Sequence, residues 1–368
     1  MRWVFAVIVA IHGLIHLVGV AKAFGLAELP QLALPISRPM GVVWLAAALV
    51  SLAAAVGVVA WPRWWWLVGA AALVLSQVAV VASWQDAKFG TLVNVLILLG
   101  VAHGYLVHGP QSFEATFRRD AATLLSRTAP PAPIAQSELD ALPQPVRRYL
   151  GLSGVVAGTA RPSTYEVHFR GRIRSGPDAA WMGFEAEQQS ATTPPARLFL
   201  MRATMYGLPV EAFHRLVDGH ATMQVRLLGA IPIADARGDA MDRAESVTLL
   251  NDMALLAPAS LLDPAIAWEP IDASTVGARF SHGGGTVSAT LLFDAEGRLA
   301  NFVSDDRSRA SEADADFTPC RFSTPVTAYA SGAPLRLEHA EARWHPPEGE
   351  FVYFDSDIVS IQTRPATP

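Results

Sequence analysis

Cysteine is almost absent from this 368-residue chain: Cys320 stands alone, so no internal disulfide can brace the fold. The compartment is not decided by that, because many extracytoplasmic domains do without disulfides. A basic stripe is also missing. Lysine and arginine number 28 against 33 acidic residues, a net charge of −5 spread along the chain, which lacks the electrostatic footprint of a nucleic-acid binder. There is no Gly-x-Ser-x-Gly elbow, no His-Glu-x-x-His helix and no phosphate-binding loop. No cofactor and no metal are therefore expected, and no protein partner is legible.

What the chain has instead is apolar length. Hydrophobic residues make up 51% of it, and they concentrate in four runs, Trp3 to Phe24, Met40 to Trp61, Trp64 to Trp84 and Phe89 to Gly109. Each is close to the ~20 residues with which a helix crosses the bilayer's hydrocarbon core. A four-helix transmembrane domain over 1–109 is expected, with the lipid bilayer as its first partner. The start of the chain, with Ala21-Lys22-Ala23 after an apolar core, also fits a cleaved signal peptide. The length of that run and the three spans after it favour a retained helix. Arg2, Arg63, Arg118 and Arg119 flank the spans on the side of the termini, Lys22, Arg38 and Lys88 on the other. That bias of one charge favours a cytoplasmic C-terminal domain. Trp61, Trp64, Trp65 and Trp66 around Pro62-Arg63 predict a tight hairpin with its indoles at headgroup level.

Polar residues within the runs are costly in hydrocarbon unless they face one another or a cavity. His16, Gln77 and Asn94 all fall roughly 8–11 Å below the far surface at ~1.5 Å per residue, with Asp86 and Lys88 capping that end. His12 and His103 form a second level. Three readings fit: hydrogen bonds that glue the bundle, a polar cleft entered from the far side, or paired histidines holding haem or a metal. His12-x-x-x-His16 puts both rings on one helical face, but no cysteine ligand accompanies them.

Residues 110–136 read as an amphipathic helix along the membrane surface, then a stiff spacer, Ala129-Pro130-Pro131-Ala132-Pro133. From Tyr165 the pattern alternates. Period-two runs recur near 181–190, 197–205, 221–228, 275–281, 286–293, 298–304, 317–323, 334–344 and 351–361, with Asp218-Gly219, Gly283-Gly284-Gly285 and Glu296-Gly297 as turns. One helix, from Asp242 to about Leu262, interrupts the series with an apolar stripe of Leu249, Leu250, Met253, Leu256 and Ala257. The expected fold is a transmembrane α bundle followed, over 137–368, by an α+β domain. In that domain a curved antiparallel β half-barrel packs on a helix, a shape that encloses an apolar cavity.

The densest chemistry lies just before that helix, in Asp235, Arg237, Asp239, Asp242, Arg243 and Glu245. Such a set can supply an acid–base pair or bind a ligand, although Asp242 with Glu245 three residues later also fits a helix capping box. The spacing is not that of an EF-hand. Trp344, His345 and Tyr353 mark an aromatic strand end and complete the candidate ligand-binding residues.

Several segments together resemble an uncharacterised bacterial multi-pass membrane family of the domain-of-unknown-function group. They are SRPMGVVWL, PRWWWLVGAAALVLSQ, SWQDAKFGTLVNVLILL, QPVRRYL, VDGHATMQVRLLGAIPIADARGDAMDRAE and WHPPEGEFVYF. The soluble part is similar, more loosely, to lipoprotein-localisation-factor domains, whose half-barrel closed by helices holds acyl chains. The resemblance implies a bacterial inner-membrane location and a lipid or other apolar ligand, and it carries over no catalytic residue. The function expected is a membrane-anchored binding module for such a ligand. The alternatives are an enzyme working through the Asp235–Glu245 segment on a small or lipid-like substrate, or a sensor or transport accessory protein.

Overall fold

A computed structural model describes residues 2–29, 32–128, 132–310 and 317–364, and the chain divides into two compact units, Met1–Ala115 and Thr116–Pro368. The first is helical. Helices α1 (Arg2–Ala23), α2 (Arg38–Ala60) and α3 (Trp65–Ala82) are followed by a single turn, α4 (Trp84–Ala87), and by α5 (Gly90–His108). Four helices, α1, α2, α3 and the one beginning at Gly90, are long and apolar enough to cross a membrane. Buried Ala47, Ala48, Ala54, Ala55, Ala72 and Ala79 let their backbones approach closely. Of the tryptophans at the α2–α3 turn, Trp61 and Trp64 are exposed, whereas Trp65 turns inward with its ring 5.5 Å from Phe5.

Helix α6 (Phe113–Arg127) leads into the second unit, where the short helices α7 (Gln136–Asp140) and α8 (Gln144–Leu152) precede the strands. The first six strands are β1 (Thr164–Ile173), β2 (Met182–Thr192), β3 (Pro195–Met205), β4 (Leu208–Val217), β5 (His220–Leu227) and β6 (Ile231–Arg237). Helix α9 (Asp239–Leu255) and a 3-10 turn (Pro258–Leu262) follow. Then come β7 (Ile266–Pro270), β8 (Thr275–His282), β9 (Gly285–Phe293), β10 (Leu299–Ser304), β11 (Ser308–Ala310), β12 (Phe317–Pro319), β13 (Arg321–Tyr329), β14 (Leu337–His345) and β15 (Phe351–Arg364).

Thirteen of these strands make one open antiparallel sheet in the order β6-β5-β4-β3-β2-β1-β15-β14-β13-β10-β9-β8-β7, while β11 and β12 pair separately. Two meanders are thus joined at the middle by β1 and β15, in register from Thr164↔Arg364 to Ile173↔Phe354 across one bulge. The chain passes from one edge strand, β6, to the other, β7, through α9. That route carries the helix across one face, where it touches β3, β4, β5 and β6 from one meander and β9 and β10 from the other.

The sheet curls around the helix far enough for two hairpin tips to meet. Asp218-Gly219 turns β4 into β5, and Gly283-Gly284 turns β8 into β9, all with positive φ as a two-residue hairpin with matching twist requires. At the meeting point a Cβ on Gly219 would fall 2.2 Å from the Cα of Gly283. The core lies between α9, α8 and this face, with Val247, Leu250, Leu261, Tyr149, Phe280, Leu291 and Phe302 almost fully buried.

Several expectations need correction. The acidic segment, given no element in the sequence, begins in edge strand β6 (231–237), and α9 starts three residues earlier than expected, at Asp239. Strands β4 and β7 carried no recognisable alternation. The reason for β4 is cover on both faces, since Ala212 and Leu216 pack towards α9 while Phe213 meets Phe117 of α6 at 6.2 Å between ring centres. That contact also corrects α6. Phe117 is 1% exposed, and Arg118 and Asp120 pair with Glu187 of β2 and Arg215 of β4, so one face of this stretch of α6 lies on the sheet. Cys320 separates the expected strand 317–323 into β12 and β13. Of the expected proline spacer, residues 129–131 lie outside the described part.

Candidate functional site

Between α9 and the curled sheet lies a cavity of about 470 Å3, within the size range of small-molecule sites. Strand parity and helix periodicity build its wall. Phe169 and Ile173 of β1 and Phe199 and Met201 of β3 share the inward parity of their strands; Leu255 and Leu256 come from the last turn of α9. Trp344 and Tyr353, on neighbouring strands, stack with ring centres 5.2 Å apart and close another side.

The inward parity also carries polar groups. Arg197, two residues before Phe199, donates from Nε to Asp252 Oδ2 (2.7 Å) and from Nη1 to Glu245 Oε2 (3.1 Å). Gln188 Nε2 donates to the same Asp252 oxygen at 2.9 Å, and His214 Nδ1 lies 3.1 Å from Glu245 Oε1. On α9, Glu245 and Asp252 are seven residues apart and therefore share a face with Thr248 and Leu255. Burial alone would raise the Glu245 pKa, but the charges of His214 and Arg197 outweigh it and bring it down to about 2. Asp252 goes the other way: burial pushes its carboxyl up against the pull of Arg197. Among the described residues, four polar atoms on residues lining the cavity have no hydrogen-bond partner: Arg307 Nε, and Gln188 Oε1, Asn251 Oδ1 and Thr324 Oγ1, the last three on residues more than nine-tenths buried.

Of the candidate ligand-binding residues, Glu245, Trp344 and Tyr353 reach this cavity. The others do not. Asp235 is exposed and held by Arg237 through two bonds of 2.8 Å, and Asp239 is exposed at the start of α9. Asp242 accepts the backbone N–H of Ala221 and faces His220, so it anchors the β4–β5 turn rather than capping its helix. His345 is bonded to Ser323 Oγ at 2.7 Å. Arg197, Gln188, His214 and Asp252 went unrecognised, although their positions carried a signal: a charged or amide residue at the inward parity of an apolar strand, and a carboxylate on the apolar stripe of a helix.

On the opposite face of the sheet, Glu166, His168 and Glu187 bring possible metal-ligating atoms within 4.8 Å of one another. Their lone pairs are engaged: Glu187 takes both guanidinium nitrogens of Arg118, and His168 is 3.0 Å from Glu166.

The helical unit holds the second constellation. Ser76 Oγ, on α3, lies 2.9 Å from the Nε2 atoms of both His12 and His16 and 2.9 Å from Asn94 Oδ1. His12 Nε2 also reaches Asn94 Oδ1 at 3.0 Å, and Asn94 Nδ2 donates to Gln77 Oε1 at 2.9 Å. The structure therefore brings His12, His16, Gln77 and Asn94 into one network, with Ser76, unremarked in the sequence, as its hub. Asp86 accepts the backbone N–H of Leu34, Lys88 lies over the Phe89 ring, and His103 sits about 13 Å along α5 from Asn94 at 1.5 Å per residue. Ser76→Ala is predicted to destabilise the helical unit by about 1–2 kcal/mol, on the basis of ~0.6 kcal/mol per interhelical bond. Unfolding by sodium dodecyl sulfate against a mild-detergent reference measures it; an unchanged midpoint would refute the hub.

The second unit is defined by its fold and site as a cavity-bearing antiparallel β domain with a helix across its face and a charged, hydrogen-bonded floor. The chain belongs to a family of unknown function, DUF6544, whose model matches residues 132–356. No curated protein matches it. Among solved structures it is similar to one described as an outer membrane lipoprotein-sorting protein domain from Vibrio parahaemolyticus, at 8% identity, with 56% of this chain and 87% of that one covered and a TM-score of 0.32. It is also similar to a DUF1329 family protein from Desulfovibrio piger, at 9% identity, with 64% and 96% covered and a TM-score of 0.34.

Proposed function

We propose that the chain is a multi-pass membrane protein of the bacterial inner membrane whose second unit, a β half-barrel, binds a lipid or another apolar molecule. One observation carries this reading: the 470 Å3 cavity, walled by Phe169, Ile173, Phe199, Met201 and Leu255 over a floor of a few fixed polar groups. Anchoring rests on an inside-out helical unit. Val7, Leu14, Leu49, Val74 and Leu99 are exposed on its outside while His12, His16, Ser76 and Asn94 are buried, the arrangement that hydrocarbon solvent favours. A tethered cavity meets membrane-borne ligand at high effective concentration, so modest affinity suffices. The enzyme alternative loses most of its residues, because Asp235, Arg237 and Asp242 are engaged away from the cavity and Asp239 does not line it.

Photolabelling of the full chain in bilayer nanodiscs with an alkyl-diazirine lipid tests the reading. Adducts are expected on α9 and on strands β1 and β3, besides those on the spanning helices. Adducts confined to residues before 110 would refute it. A C-terminal phosphatase or fluorescent tag reports the compartment, and the flanking charges lead us to expect the cytoplasm.

A further inference from the structure

Among the described residues, the rim of the cavity carries positive charge that the lining carboxylates do not balance. Of the lining arginines, Arg197 is paired with Glu245 and Asp252, and the lining carboxylate Glu341 is held by Arg343 at 2.7 Å. Among the described residues, Arg174, Arg307 and Arg309 form no ion pair. Their hydrogen bonds go to neutral acceptors: Arg174 Nε to Val352 O (2.7 Å) and Nη1 to Pro177 O (2.5 Å), Arg307 Nη1 to Tyr353 Oη (3.0 Å) and Arg309 Nη2 to Ser175 O (3.4 Å). Among the described residues, buried Arg307 Nε has no hydrogen-bond partner, and the Arg307 charge acts on Glu245 only at longer range.

Aromatic faces hold these guanidinium groups in place. Arg174 lies 4.5 Å from the Trp181 ring centre and 5.8 Å from that of Phe351, which Arg309 also approaches at 5.1 Å. Arg307 lies over Phe322 at 4.4 Å and Trp344 at 5.2 Å. Stacking of this kind fixes a cation without neutralising it, and leaves N–H groups, Arg307 Nε among them, to donate to an oxyanion. Three such groups come from two separate segments, the end of β1 and residues 307–309, and all line the same apolar space.

We infer that the cavity selects amphiphiles with an anionic head, a carboxylate or phosphate held by Arg174, Arg307 and Arg309, with the alkyl chain lying along Phe169, Phe199 and Met201. This rests on the apolar-ligand reading and adds the charge of the ligand to it. Half-buried beside ring faces, the arginines gain a charge-assisted partner from an oxyanion among them, whereas a neutral head would leave them as they are.

Displacement of a neutral fluorescent apolar probe from the full chain in amphipol tests it, with oleate, oleyl phosphate, oleyl alcohol and inorganic phosphate as competitors. Oleate and oleyl phosphate are expected to compete at least tenfold more tightly than oleyl alcohol. The variant Arg174→Gln/Arg307→Gln/Arg309→Gln should lose that advantage while binding oleyl alcohol within twofold of the parent. Arg309→Gln, which removes one 3.4 Å bond and the contact with the Phe351 ring, provides a structurally milder second variant with an expected loss of about threefold, and Arg309→Lys should restore most of it. Equal competition by oleate and oleyl alcohol, or an oleate preference that survives the triple substitution, overturns the anionic head and leaves the cavity reading standing. Competition by inorganic phosphate alone overturns the amphiphile in favour of a free-anion site. Failure of the probe and of every oleyl compound to bind overturns the cavity reading itself.

Discussion

Arg197→Met is expected to destabilise the second unit by about 3–5 kcal/mol, because it leaves Glu245 and Asp252 buried without their shared cation. The same side chain seen as isolated surface charge would contribute less than ~1 kcal/mol. Hydrogen–deuterium exchange across α9 in the full chain, or urea unfolding, measures the loss. Arg197→Met/Glu245→Gln/Asp252→Asn should recover most of it, since replacing the whole ionic set removes the orphaned charges along with the pairing. The pH dependence has a defined sign. Glu245, held at about 2 against an ordinary 4.5, stabilises the parent above pH 4.5, and that contribution is lost as pH falls towards 2. Asp252, raised above its ordinary 3.8, works oppositely: its contribution is present below pH 3.8 and is lost as pH rises above it. Without Arg197 both carboxyls shift up, so the variant should gain on the parent as pH falls from 7 towards the ordinary carboxylate range. A loss that stays constant over that interval would show that the arginine acts by packing alone.

The second large effect belongs to the hairpin contact. Gly219→Ala places a side chain where φ is +79° and where its Cβ would lie 2.2 Å from Gly283 Cα, so backbone must move. A cost of about 2–4 kcal/mol follows from strain at positive φ together with overpacking. Gly207 is the internal control: φ is +81°, yet a Cβ there meets nothing within 4 Å. Gly207→Ala should cost only about 1 kcal/mol, the conformational part alone. Comparable losses at both positions, read from thermal or urea midpoints of the full chain, would mean that the two hairpin tips are not pressed together in solution.

How much was legible follows from cover. Strands with one covered face announced themselves, as in β1, where Tyr165, Val167 and Phe169 alternate with Glu166, His168 and Arg170. The turn Asp218-Gly219 was legible from dihedral demand alone. β4 was not, because α6 and α9 cover it from both sides and erase the alternation, and β7, a five-residue edge strand, is too short to display one. At the site the difficulty was opposite. The crowded segment from Asp235 to Glu245 drew notice by density, but charge density along a chain says nothing of convergence in space. Arg197 and Asp252, isolated in sequence among apolar neighbours, are the residues that meet. In the helical unit, depth matching singled out His16, Gln77 and Asn94. Ser76 escaped notice because a serine in an apolar helix returns its hydroxyl to its own backbone as readily as to a neighbour.

The pairing of β1 with β15 bears on how the protein is made. β1 is finished about 180 residues before β15 begins, an interval of ~10–40 s at common rates of translation. Throughout it the first meander can form its hairpins, yet β1 keeps an unpaired edge that will become the centre of the sheet. An exposed strand edge is a template for any other extended chain. The nascent protein is therefore open to wrong partners for a time set by the ribosome rather than by its own folding rate, and slower synthesis lengthens that exposure while leaving the finished structure unchanged.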